Sequence, residues 1–132
     1  MGGINYLAVI AAAASAFLIG GLWYAPPVFG RAWQRAAGLS DQQLAGRSAA
    51  AIFGGSFVLS LVAAFVFAMF LGPKPALGFA VGAGFAAGLC WVATSFGINY
   101  LFERRNGRLF LINGGYHTLQ FTVFGLVLGL WH

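Results

Sequence analysis

The sequence predicts an all-α fold: a four-helix transmembrane bundle with a short amphipathic helix at the inner interface between helices one and two. Three observations carry that prediction. Hydrophobic residues make up 61% of the 132 residues and charged residues 7%, where a soluble domain carries about 25% charge to cover its surface. The apolar residues fall in four runs, 4–24, 48–71, 76–102 and 109–131, none of which contains Asp, Glu, Lys or Arg. All four prolines (Pro26, Pro27, Pro73, Pro75) stand between those runs, where a missing N–H breaks no helical hydrogen bond. The length suits a single integral membrane domain over 1–132, and a mean hydropathy of +0.86 agrees.

Each run holds 21 to 27 residues, enough at about 1.5 Å rise per residue to cross a hydrocarbon core of about 30 Å, the third with tilt or overhang. Helices are required because lipid offers backbone polar groups no partner. In the first run, Ala14-Ser15-Ala16 resembles a signal-peptidase site, but Met1-Gly2-Gly3 carries no positive charge and the apolar run continues to Tyr24. An uncleaved first span is expected. After it, Pro27 can start a helix with Val28, Phe29, Ala32, Trp33 and Ala36 on one face and Arg31, Gln34 and Arg35 on the other. Gly38 would cap its end, and such a helix suits the inner headgroup layer. Ser40-Asp41-Gln42-Gln43 reads as a capping box, so helix two is expected to begin near Asp41 and run into the membrane. Gly72-Pro73-Lys74-Pro75 is a tight outer turn.

The net charge is +5. Loop one holds Arg31, Arg35 and Arg47, loop three holds Arg104, Arg105 and Arg108, and loop two holds Lys74 alone. The positive-inside rule places loops one and three in the cytoplasm and both termini outside a cell (inner) membrane. Tyr6 and Trp131 then mark the outer interface; Trp23, Tyr24, Tyr100 and Phe110 mark the inner one. Arg31, Arg35, Trp33, Trp23 and Tyr24 form the expected lipid-interface set, facing the bilayer and its anionic headgroups. Positives confined to short loops do not make a nucleic-acid surface. Cys90 is the lone cysteine, so no intramolecular disulfide can form and no Cys-based metal site is visible, and His117 and His132 lie at different depths. No metal or cofactor is expected. Asp41 and Glu103 fall in inner loops, suited to pairing with local Arg, and no base stands beside a nucleophile. The chain does not read as an enzyme.

Helices associate in lipid through close backbone approach. Small residues four apart supply it at Gly78/Gly82, Gly84/Gly88, Gly125/Gly129, Ser56/Ser60 and Ala12/Ala16, either within one chain or in a homo-oligomer. A weak repeat relates Gly21-Leu22-Trp23-Tyr24 to Gly97-Ile98-Asn99-Tyr100, each followed by Gly-Arg-x-aromatic. Aromatic belts and inner-loop arginines could create that pattern as readily as a duplication.

The one polar constellation inside the spans is Asn113, His117 and Gln120, on one face of helix four, with Ser95 and Asn99 four apart on helix three. A hairpin centred on residue 106 sets Asn99 level with Asn113 and Ser95 level with His117. His117 lies about 13 Å beyond Arg108, near the midplane. An ionisable group there is a functional-site candidate, and its charge changes near physiological pH; the plainer role is interhelical hydrogen bonding worth about 1 kcal/mol or less. Two functions follow: an oligomeric proton or small-solute pathway using the polar site, or an accessory or scaffolding subunit that binds another membrane protein through Gly-rich helix faces.

The stretches Ile4-Asn5-Tyr6-Leu7-Ala8-Val9, Gly21-Leu22-Trp23-Tyr24-Ala25-Pro26, Phe29-Gly30-Arg31-Ala32-Trp33 and Leu111-Ile112-Asn113-Gly114-Gly115-Tyr116-His117 resemble the bacterial family called domain of unknown function 1761. The similarity covers nearly the whole chain, with Ala25 where that family would be expected to carry Ser. The resemblance implies a small four-helix membrane protein and no established activity.

Overall fold

The structure is a computed structural model that describes residues 3–132. It is all-α: helix α1 spans Tyr6–Trp23, α2 Arg31–Ala37, α3 Asp41–Ala45, α4 Ala49–Leu71, α5 Leu77–Ala87, α6 Thr94–Glu103 and α7 Gly107–Leu130. A π-helical turn, Pro26–Gly30, leads into α2, and a second, Gly88–Ala93, joins α5 to α6 so that residues 77–103 form one continuous rod.

The helix ends follow from local chemistry. The Ser40 hydroxyl accepts from Gln43 N–H while the Gln43 side chain accepts from Ser40 N–H, the reciprocal capping box. Gly38 ends α2 with a φ of 72°, a left-handed position that glycine occupies without steric cost. The expectation that helix two starts near Asp41 and continues into the membrane is corrected. Helix α3 stops at Ala45, Gly46 closes it, and the Ser48 hydroxyl accepts from Ala51 N–H to start α4 afresh. Two competing N-caps eight residues apart divide what hydropathy alone joins. The stretch between the first two long helices therefore holds the expected short helix, opened by the π-turn and ended at Gly38, and after it a second short helix, α3.

Helix α7 stands at the centre. It packs along the α5–α6 rod on one side and α1 on the other, and α4 lies mainly on α1. The core is dense in alanine: Ala8, Ala12, Ala13 and Ala16 of α1 meet Ala64, Phe67 and Ala68 of α4 and Phe124 and Leu128 of α7. Small residues let the backbones approach. A Cβ added at Gly84, Gly88 or Gly125 would run into the backbone of Phe121, of Thr118 or of Ala80. Gly78, Gly82, Gly54 and Gly55 by contrast face open space. The five small-residue pairs thus divide. Gly84/Gly88, Gly125/Gly129 and Ala12/Ala16 close the chain on itself, Ser56/Ser60 has one member buried, and an added Cβ at Gly78 or Gly82 would meet nothing among the described residues.

Three helical stretches, Tyr6–Trp23, Ala49–Leu71 and Leu77–Glu103, are long and apolar enough to cross a membrane. Helix α7 has the length, at 24 residues, but its apolar run is interrupted by Asn113, His117, Thr118, Gln120 and Thr122. Those same residues make it the chemically distinctive helix.

Candidate functional site

Around Asn113 the polar groups are matched in pairs. The Tyr24 hydroxyl donates to Asn113 Oδ1 at 2.6 Å, and Asn113 Nδ2 donates to the Tyr100 hydroxyl at 2.8 Å. One turn away, Trp23 Nε1 donates to the Ile112 carbonyl at 3.0 Å and the Tyr116 hydroxyl donates to the Ala16 carbonyl at 2.9 Å. Four hydrogen bonds therefore tie α7 to the end of α1 and to α6. Tyr24 and Tyr100 occupy equivalent places in the weak sequence repeat, and here both close on one amide.

His117 and Gln120 form a pair on α7 itself. His117 Nδ1 lies 2.6 Å from Gln120 Oε1, within hydrogen-bond distance. The imidazole stacks on Phe96, with centroids 5.0 Å apart and planes 13° apart, and meets Tyr116 edge-on at 5.0 Å. Gln120 is buried.

Ser95 and Asn99, expected beside this cluster, are exposed and point elsewhere. The π-turn at Gly88–Ala93 is the reason. In an unbroken α-helix the face that presents Gly84 and Gly88 to α7 would next present positions 91, 95 and 98 or 99. The wider turn admits one residue more, so Ala93, Phe96, Gly97 and Tyr100 take those places. Ser95 instead donates to the Trp91 carbonyl at 2.7 Å, and the Thr94 hydroxyl approaches the Cys90 and Trp91 carbonyls at 2.7 and 3.0 Å. Hydroxyls here satisfy carbonyls that the π-turn has displaced.

The backbone register also differs from a hairpin centred on residue 106. Gly88 lies against Thr118, Gly84 against Thr122 and Gly129 against Leu77, which sets His117 level with the π-turn and not with Ser95. Side chains lean toward the N-terminus of their own helix. In an antiparallel pair both lean toward each other, and this brings Phe96 to His117 and Tyr100 to Asn113. Sequence reasoning missed Phe96, Tyr100 and Tyr116 as members of the cluster, although Tyr100 and Phe96 each stand one residue beyond the positions it chose.

At the arginine-rich end of the bundle a cavity of about 550 Å³ opens beneath Tyr24 and Trp33, lined also by Arg31, Arg35, Arg47 and Asp41. Tyr24 and Trp33 meet edge-on at 5.8 Å. Trp23, the remaining member of the expected interface set, turns inward to Ile112 and packs on Phe29 at 4.6 Å. Asp41 is engaged by Gln34 Nε2 at 2.8 Å and not by an arginine, a correction to the expected local pairing. Glu103 does pair with Arg105, at 3.2 Å on the exposed surface, where such a bridge contributes little. A smaller space of about 250 Å³ lies between Gly97, Tyr100, Phe110 and Arg105, and a cleft of about 20 Å³ lies near Pro73 and Trp131. His117 lines none of the three.

The family model described as "Protein of unknown function (DUF1761)" matches residues 7–129. No curated protein matches the chain, and no solved structure does.

Proposed function

This chain belongs to the DUF1761 family, and from that premise we propose that it is a four-span membrane protein that acts by associating with another membrane helix, first of all that of a second copy of itself. Helix α7 counts as the fourth span because α1 and the α5–α6 rod flank it and engage its polar groups. The arginine-rich loops face the cytoplasm of a cell membrane and both termini face outward. No catalytic step is assigned to the chain.

The observation that carries the reading is the uncovered Gly78/Gly82 pair. Glycine inside a helix costs about 1 kcal/mol relative to alanine, and at Gly84, Gly88 and Gly125 that cost is matched by backbone contact within the chain. At Gly78 and Gly82 nothing among the described residues occupies the space, and a neighbouring helix in the membrane is the partner such a surface suits.

Native mass spectrometry of protein released from lipid nanodiscs tests this directly. A discrete dimer or larger assembly is expected, reverting to monomer in Gly78→Leu/Gly82→Leu. A strictly monomeric wild type would remove self-association and leave only the accessory-subunit form, whose mark is co-purification of one defined membrane protein from native membranes. The rival reading is a proton or small-solute pathway through His117, Asn113 and Gln120. It requires pH-dependent flux in liposomes that disappears in His117→Leu. The bonding around Asn113 favours association over conduction, since both ends of its amide are engaged by tyrosine hydroxyls of the same chain.

A further inference from the structure

The cavity at the arginine-rich end carries an inference that does not depend on association. It is formed by three separate pieces of chain: the end of α1 with Tyr24, one face of α2 with Arg31 and Arg35 a helical turn apart, and the α3–α4 turn with Arg47. At about 550 Å³ it falls within the range of about 300–1,000 Å³ usual for small-ligand sites. Its charge is unbalanced. Three guanidinium groups line it against the single carboxylate of Asp41, and Asp41 already accepts a hydrogen bond from Gln34. Among the described residues none of the three arginines forms an ion pair; Arg47 lies over the Phe53 ring at 5.5 Å.

We propose that this cavity is a binding site for a phosphate-bearing anion, held by Arg31, Arg35 and Arg47. The planar fork of a guanidinium matches two phosphate oxygens at once, and three exposed arginines on one open cavity raise the local concentration of anions. Trp33, Pro26 and Leu44 supply an apolar part of the lining, which suits a ligand that joins a phosphate to hydrocarbon. A phosphodiester lipid headgroup and a soluble organophosphate share this chemistry. Loop arginines of any inward-facing loop attract anionic lipid in a general way; a built cavity adds a dependence on which arginines are removed.

The test uses the full-length protein in neutral detergent. Dioleoyl-phosphatidylglycerol and dioleoyl-phosphatidylcholine are titrated by native mass spectrometry, and inorganic phosphate and glycerol 3-phosphate by calorimetry. The wild type is expected to bind phosphatidylglycerol or glycerol 3-phosphate, with at least about tenfold preference for the anionic lipid in the first case. Arg31→Gln/Arg35→Gln should weaken that binding by about tenfold or more, and Arg104→Gln/Arg108→Gln, which removes equal charge outside the cavity, by less than about twofold. Binding of the lipid alone assigns a membrane source, and binding of glycerol 3-phosphate alone a soluble one. Equal losses in the two double variants, or no binding of any of the anions by the wild type, would overturn the site. Should the α2 double variant fail to fold, Arg47→Gln on the third wall is expected to lose several-fold, and wild-type affinity there would overturn it equally.

Discussion

Two chemically identical substitutions should have opposite effects on the stability of this fold. At Gly125 an added Cβ would collide with the backbone of Ala80, so Gly125→Ala forces α7 away from the α5–α6 rod along its most extensive helix contact. Overpacking of that kind costs about 1–3 kcal/mol, and the better helix propensity of alanine returns about 1 kcal/mol. The net expectation is a loss of up to about 2 kcal/mol. At Gly82 nothing lies within reach of the new methyl group, so only the propensity term remains and Gly82→Ala should gain up to about 1 kcal/mol. The propensity term cancels between the two sites, so the difference is the overpacking cost itself, about 1–3 kcal/mol, which an unfolding titration resolves. Equilibrium unfolding of the monomer in mixed micelles with rising dodecyl sulfate, followed by tryptophan fluorescence, measures both. Gly84→Ala and Gly88→Ala should behave like Gly125→Ala. If Gly82→Ala is as damaging as Gly125→Ala, or Gly125→Ala is neutral, the assignment of glycines to inner and outer faces is wrong.

The bond from Tyr24 to Asn113 can be isolated by a double-mutant cycle of Tyr24→Phe and Asn113→Leu, with a coupling of about 0.6 kcal/mol and at most about 1.7 kcal/mol expected from unfolding titrations; zero coupling would separate the two side chains. Ser60 is buried with an oxygen that has no hydrogen-bond partner, so Ser60→Ala should leave stability unchanged or raise it by up to about 1 kcal/mol in the same titration. Ser40→Ala removes the hydroxyl arm of the capping box, the acceptor for Gln43 N–H, and should cost the α3 segment about 1 kcal/mol, visible as faster amide hydrogen exchange over residues 41–45 with exchange in α4 unchanged.

Much of the architecture was legible because it rests on long-range averages. Apolar runs, prolines at their borders and hydrogen-bonding residues at helix starts all read directly, and the capping box at Ser40 and the glycine stop at position 38 are found where the sequence places them. The candidate site was legible only by half. Asn113, His117 and Gln120 share a face of one regular helix, so periodicity suffices for them. Ser95 and Asn99 required the same periodicity to hold through Gly88–Ala93, where the chain takes a π-turn and the face shifts by one residue. No residue in Gly88-Leu89-Cys90-Trp91-Val92-Ala93 announces that shift; the hydroxyls of Thr94 and Ser95, bonded back to Cys90 and Trp91, are its only trace in the sequence. The division of α3 from α4 was hidden in another way, since Gly46 and Ser48 are individually compatible with a continuing helix.

The polar residues of α7 bear on how the chain is made. A helix carrying Asn113 is a poor candidate to leave a translocation channel for lipid alone, because its amide would meet hydrocarbon without the Tyr24 and Tyr100 hydroxyls. Only residues 104–106 separate it from α6, too short a linker to let the two enter independently. As the proposed fourth span, helix α7 would partition together with the α5–α6 rod as a hairpin, into a bilayer where the end of α1, made earlier, already offers Trp23 and Tyr24. The order of synthesis thus supplies two donors to α7 before the nascent helix needs them, and a segment translated later becomes the one around which the earlier helices are arranged.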